Sequence, residues 1–63
     1  MNKPDVEIKT TTLAETENMA AWQAEEPDGE TTYNIQIDNV TINFFKEEWD
    51  EFIIMVTALL AKL

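Results

Sequence analysis

Thr31-Thr32-Tyr33-Asn34-Ile35-Gln36-Ile37-Asp38-Asn39-Val40-Thr41-Ile42-Asn43-Phe44 is the stretch whose reading decides the fold. Tyr33, Ile35 and Ile37 alternate with Thr32, Asn34 and Gln36, the period-two pattern of a strand with one buried face. Asp38-Asn39 follows, and both residue types tolerate the positive φ of a two-residue hairpin turn. Val40-Thr41-Ile42-Asn43-Phe44 then alternates again. With Asp38-Asn39 as the turn, Ile37 faces Val40, Ile35 faces Ile42 and Tyr33 faces Phe44. A one-residue slip would scatter these apolar residues over both faces, so the pattern specifies the register.

Downstream, the spacing changes from two to that of a helix beginning near Phe45 or Lys46 and running to the C-terminus. Neither residue is a good N-cap. Glu47, Glu48, Asp50 and Glu51 crowd the first turns and Lys62 sits near the other end, both favourable to the helix dipole. Phe44 is placed to staple against Trp49 across the helix start. Trp49, Phe52, Ile53, Val56, Leu60 and Leu63 form one stripe, with Leu59 at its edge. The sequence predicts that this stripe lies on the Tyr33/Ile35/Ile37/Val40/Ile42/Phe44 face of the hairpin. Ile54, Ala58 and Ala61 fall on the opposite side, and Met55 falls between the stripe and the acidic face. The second half of the helix is thus apolar nearly all round, as in a helix buried on every side.

Upstream, Val6 and Ile8 alternate ahead of three threonines, so residues 1–12 read as a flexible tail or an edge strand ahead of a single ββ(β)α domain over residues 13–63. Met1–Pro4 reads as a frayed terminus. Leu13–Glu26 admits two readings. Thr12-Leu13-Ala14-Glu15 fits a capping box and Ala, Glu, Met and Gln are helix formers. Against this, the apolar residues have no helical period, and Glu25-Glu26-Pro27-Asp28-Gly29-Glu30 has the chemistry of a hairpin loop. The second reading gives a strand over about Asn18–Ala24, with Trp22 in the core beside Tyr33. The fold class is then α+β: a small antiparallel three-strand meander followed by one long amphipathic helix packed on one sheet face.

Composition narrows the function. Sixty-three residues make at most one domain, and a core that small is marginal without a staple. There is no Cys for a disulfide, which leaves oligomerisation as the usual device. His, Ser and Arg are absent too, removing the common acid–base, nucleophilic and guanidinium chemistries. No catalytic residue and no cofactor is assigned. Glu25, Glu26, Asp28 and Glu30 surround a Gly but lack the alternating ligand spacing of a calcium loop, so they read as a solvated hairpin loop rather than a metal site. Asn39-Val40-Thr41 is a chance match to the glycosylation sequon.

Four Lys against thirteen Asp and Glu give a net charge of −9, which argues against direct nucleic-acid binding. Phe52–Ala61 is an apolar run of ten residues, too short for a bilayer, and Met1–Thr12 lacks the apolar segment of a signal peptide. The expectation is a cytoplasmic, non-enzymatic protein that acts as a homodimer by binding another protein. Ile54, Met55, Ala58, Leu59 and Ala61 are its candidate dimer or partner surface. The alternative is an acidic inhibitor or nucleic-acid mimic that blocks a basic nucleic-acid-binding protein, with Glu25, Glu26, Asp28, Glu30, Glu47, Glu48 and Glu51 as the surface that engages it.

Overall fold

In the computed structural model, which describes residues 8–63, four strands and one helix follow one another. They are β1 (Lys9–Glu15), β2 (Met19–Glu25), β3 (Thr31–Ile37), β4 (Val40–Phe45) and α1 (Lys46–Lys62). The strands form one antiparallel meander in the order β1-β2-β3-β4. The three-strand expectation is therefore corrected to four. The additional strand, β1, crosses the boundary drawn at residue 12 and pairs along β2. A bulge at Leu13 lets two residues face one, which is why the alternation in β1 is broken. Val6 and the frayed Met1–Pro4 reading lie outside the described residues.

The β3–β4 hairpin has the register read from the sequence: Ile37 opposite Val40, Ile35 opposite Ile42, Tyr33 opposite Phe44. Its turn holds Asp38 at φ 58°, in the left-handed region that Asp tolerates better than most residues. Asp38 N–H donates to the carbonyl of Asn18 at 3.0 Å, tying this turn to the one between β1 and β2. At the opposite end, the Glu26–Glu30 loop turns at Gly29 (φ 93°), with Gly29 N–H on the Glu26 carbonyl at 2.9 Å and Glu30 N–H on Asp28 Oδ1 at 3.0 Å.

Directly paired residues share a face, so the registers sort the sheet into rows. On the helix-bearing face of β2, β3 and β4 the rows are Met19–Ile37–Val40, then Ala21–Ile35–Ile42, then Gln23–Tyr33–Phe44. The other face carries Trp22–Asn34–Asn43 and Ala24–Thr32–Phe45. Trp22 thus does not stand beside Tyr33. The β2–β3 pairing puts it one residue out of phase with the helix-bearing face. Asn34 is 4% exposed and Ala24 6%, the two buried residues among those described. Asn34 Nδ2 donates to the Trp22 carbonyl at 3.4 Å, and Asn34 Oδ1 accepts from Asn43 Nδ2, so the central strand's buried amide is satisfied on both sides.

Phe45 is the N-cap of α1 and has no acceptor to offer, so only half of a capping box exists: Phe45 N–H donates to Glu48 Oε1 at 3.0 Å. The helix is anchored by an aromatic cluster instead. Trp49 stacks on Tyr33 with centroids 5.1 Å apart and planes at 8°. Phe44 meets Trp49 edge-on at 5.4 Å, as the staple reading requires, and Phe52 at 5.0 Å. Trp49, Phe52 and Val56, at i, i+3 and i+7, are half-buried. The remaining stripe residues are not: Ile53, Leu60 and Leu63 are exposed, as are Ile37, Val40 and Ile42 on the sheet. The helix therefore sits on the Tyr33–Phe44 row and leaves the Ile37–Val40 row uncovered, a correction to the full-length packing read from the sequence. The physical reason is the connection. β4 runs into α1 without a loop, Phe45 being both the last strand residue and the helix N-cap, so the strand end sets where the helix starts.

Candidate functional site

The surface left bare by this geometry starts on the helix. A helix of 17 residues is about 25 Å long, and α1 buries none of its residues. Around the axis, Leu59, Leu60 and Leu63 continue the stripe that Trp49, Phe52 and Val56 begin. Leu60 is 65% exposed and Leu63 88%. Ile54, Ala58 and Ala61 lie on the far side, with Ile54 70% exposed. All five residues singled out from the sequence, Ile54, Met55, Ala58, Leu59 and Ala61, stand in solvent. A helix over Leu13–Glu26, the other reading of that segment, would have been long enough to cover them. That segment is instead the end of strand β1, a tight turn and strand β2, and among the described residues the helix packs on β3 and β4.

Sequence reasoning missed the sheet's share of this surface. Met19, Ile37 and Val40 form a complete exposed row across three strands, with Ile42 beside it. Next to them, Ala14, Met19, Ala20, Ala21 and Ile35, with Glu15 and Thr16, line a shallow depression. The signal available in the sequence was the absence of a loop between Phe44 and the helix, which starts the helix at the end of β4 away from the hairpin turn.

No family model, curated protein or solved structure matches this chain. The site is therefore read from its own chemistry. The surface is apolar and carries no paired acid and base, and among the described residues no group of His, Cys, Asp or Glu is arranged to hold a metal ion. No helix among them is long and apolar enough to cross a membrane.

The acidic residues singled out from the sequence gather at the other end of the strands, although Glu15, Glu17 and Asp38 also line a depression beside Met19. Glu25, Glu26, Asp28 and Glu30 belong to the β2–β3 end of the sheet, and the Thr32–Phe45 pairing puts the start of α1 at that same end. Glu30 and Glu47 line one depression there, with Tyr33, Phe45 and Lys46. Glu48 and Glu51 line another with Asn43, Phe44, Phe52, Ile54 and Met55. The two acidic runs, distant in sequence, converge on one end of the molecule. Lys46 is held there by Asp50, one turn on, at 2.9 Å. The hydrogen bond and charge of Asp50 raise the Lys46 pKa above its ordinary 10.5.

Proposed function

We propose that this chain is a small, non-catalytic, homodimeric adaptor or regulatory protein that acts by binding another protein. The observation that carries the reading is the helix whose second half is apolar on both sides and buried on neither. Exposed apolar residues scattered singly are ordinary, but a contiguous surface of this kind marks an interaction site. A helix with two bare apolar sides has one side for a second copy and one for a target. Ile54, Met55, Ala58, Leu59 and Ala61 are the residues assigned to these contacts. Sedimentation equilibrium of the whole chain at micromolar concentration tests the dimer. A mass of twice 7.3 kDa is expected, and a folded monomer of 7.3 kDa overturns it. Affinity capture with the tagged chain tests the target contact: a discrete partner is expected with the parent and lost with Ile54→Glu, and equal capture by both refutes the assignment.

A second reading is favoured by the convergence of Glu25, Glu26, Asp28 and Glu30 with Glu47, Glu48 and Glu51 at one end. Such an end suits a basic protein surface, as an inhibitor or nucleic-acid mimic would require. Exposed charges are screened over about 8 Å at physiological ionic strength. Under this reading the partner affinity falls steeply with added salt, and an affinity flat between low and high salt removes it.

A further inference from the structure

We propose that the outer edge of β4 takes up an extended, basic segment of a partner protein as an added strand of the sheet. This names the docking place and the chemistry of the target under the protein-binding reading above, on which it rests, and it is independent of the homodimer.

The edge is ready for a strand. β4 ends the sheet, and among the described residues no strand pairs with its outer side. Ile37 and Val40 close a two-residue turn and so exchange hydrogen bonds across it. Ile42 and Phe44, at intervals of two, likewise spend their N–H and C=O on β3. The N–H and C=O of Thr41 and Asn43 therefore point outward, where the backbone of a further strand can bond them. Phe45 N–H, next in the same series, is in phase with them: it donates to Glu48 Oε1 at 3.0 Å. The sheet's other edge, β1, suits an added strand less, because the bulge at Leu13 breaks its regular spacing and twists it.

The groove beside this edge selects the occupant. It is lined by Asn43 and Phe44 of β4 and by Glu48, Glu51, Phe52, Ile54 and Met55 of α1. No residue of β3 lines it, so it lies to the outer side of β4. Alternate side chains of an added strand point to one face. Those on the helix-bearing face meet the carboxylates of Glu48 and Glu51 and the apolar side chains of Phe44, Phe52 and Met55. Among the described residues neither carboxylate has a cation partner. Lys46 is bound to Asp50 at 2.9 Å and lines the depression that holds Tyr33 instead. The complementary segment therefore carries Lys or Arg together with apolar residues at alternate positions. A second copy does not meet this description: pairing two β4 edges would bring Glu48 and Glu51 of both copies to one seam, between chains that each carry −9.

The test pans a display library of random linear peptides against the full chain and synthesises the enriched sequences. Sequences with Lys or Arg and apolar residues at alternate positions are expected. A bound peptide of this kind is expected to slow hydrogen exchange at the Thr41 and Asn43 amides. N-methylation along the peptide is expected to split its residues into two alternating sets, one that abolishes binding because those amides bond β4 and one that is tolerated. Glu51→Lys, an exposed change on the helix, is expected to weaken binding several-fold with the circular dichroism of the parent. No enrichment, enrichment without basic residues, equal effects of both N-methyl sets, or full affinity in Glu51→Lys each overturns the proposal. So does protection of Thr41 and Asn43 in the free chain that is lost on dilution, since a second copy would then occupy the edge. If affinity capture finds a discrete partner that leaves both amides unprotected, the edge proposal falls and the protein-binding reading stands. If neither peptide nor partner binds, both fall.

Discussion

Removing Trp49 tests the packing on which the fold of this chain rests. The helix is held to the sheet by one aromatic cluster, and Trp49 is its centre: Tyr33 lies at 5.1 Å, Phe44 at 5.4 Å and Phe52 at 5.7 Å. A buried Trp truncated to Ala costs about 3–5 kcal/mol. Trp49 is half-buried, which lowers that figure, while each aromatic contact contributes about 0.5–1.5 kcal/mol beyond its area. Together these put Trp49→Ala at about 3 kcal/mol. A chain of 63 residues has a total stability of about 3–9 kcal/mol, so the variant forfeits a third of it or more. At about 4–8 °C per kcal/mol for a domain of this size, the melting temperature falls by about 12–24 °C. Trp49→Phe keeps a ring against Phe44 and Phe52 and loses most of the Tyr33 stack, so its cost is about 1 kcal/mol. Far-ultraviolet circular dichroism during thermal and urea unfolding measures both variants, with protein concentration held fixed because self-association shifts the midpoint. If Trp49→Ala melts within two degrees of the parent, the helix is not docked through this cluster and the reasoning is wrong.

Three further outcomes follow from particular contacts. Asn34→Ala strands the amide of Asn43 on the face away from the helix and is expected to cost about 1–3 kcal/mol by urea unfolding; an unchanged midpoint would mean water serves Asn43 equally well. Asp38→Val places a β-branched residue at φ 58° in the β3–β4 turn and is expected to cost about 1–2 kcal/mol, whereas a neutral result would show that the turn does not hold that conformation. The Lys46 ammonium, titrated by NMR, is expected to lose its proton above the ordinary 10.5 and to return towards it in Asp50→Asn. Because its folded pKa is raised, any stability it contributes is present at neutral pH and lost only as pH rises through that raised value; a midpoint at or below 10.5 in the parent would exclude the Asp50 pairing.

What could be read from the residues alone was local and periodic. The β3–β4 register followed from alternation, since any slip would send Ile35 and Ile42 to solvent. The change of period at Phe44 marked the start of the helix, and the Phe44–Trp49 staple followed from their spacing. The lack of a helical period over Leu13–Glu26 and the turn chemistry of Pro27-Asp28-Gly29 likewise favoured a strand, β2, over a helix. The surface residues Ile54, Met55, Ala58, Leu59 and Ala61 were legible for the same reason, because helical geometry assigns angular position from sequence number.

Only the tertiary structure decided how these pieces meet. The bulge at Leu13 hid how far β1 extends, which the sequence offered only as a tail or edge strand within residues 1–12, because an extra residue breaks the period by which strands are recognised. The face of Trp22 depended on β2–β3 pairing across a loop, and one residue of phase moved it to the side away from Tyr33. The convergence of the Glu25–Glu30 loop with Glu47, Glu48 and Glu51 came from the meander returning β4 to the end where β3 began. The uncovered Met19–Ile37–Val40 row followed from where β4 hands the chain to the helix. Periodicity states which residues share a face; it carries no information about how far along that face a partner reaches, because reach is set by the angle between elements, and that angle is fixed by contacts between residues far apart in the chain.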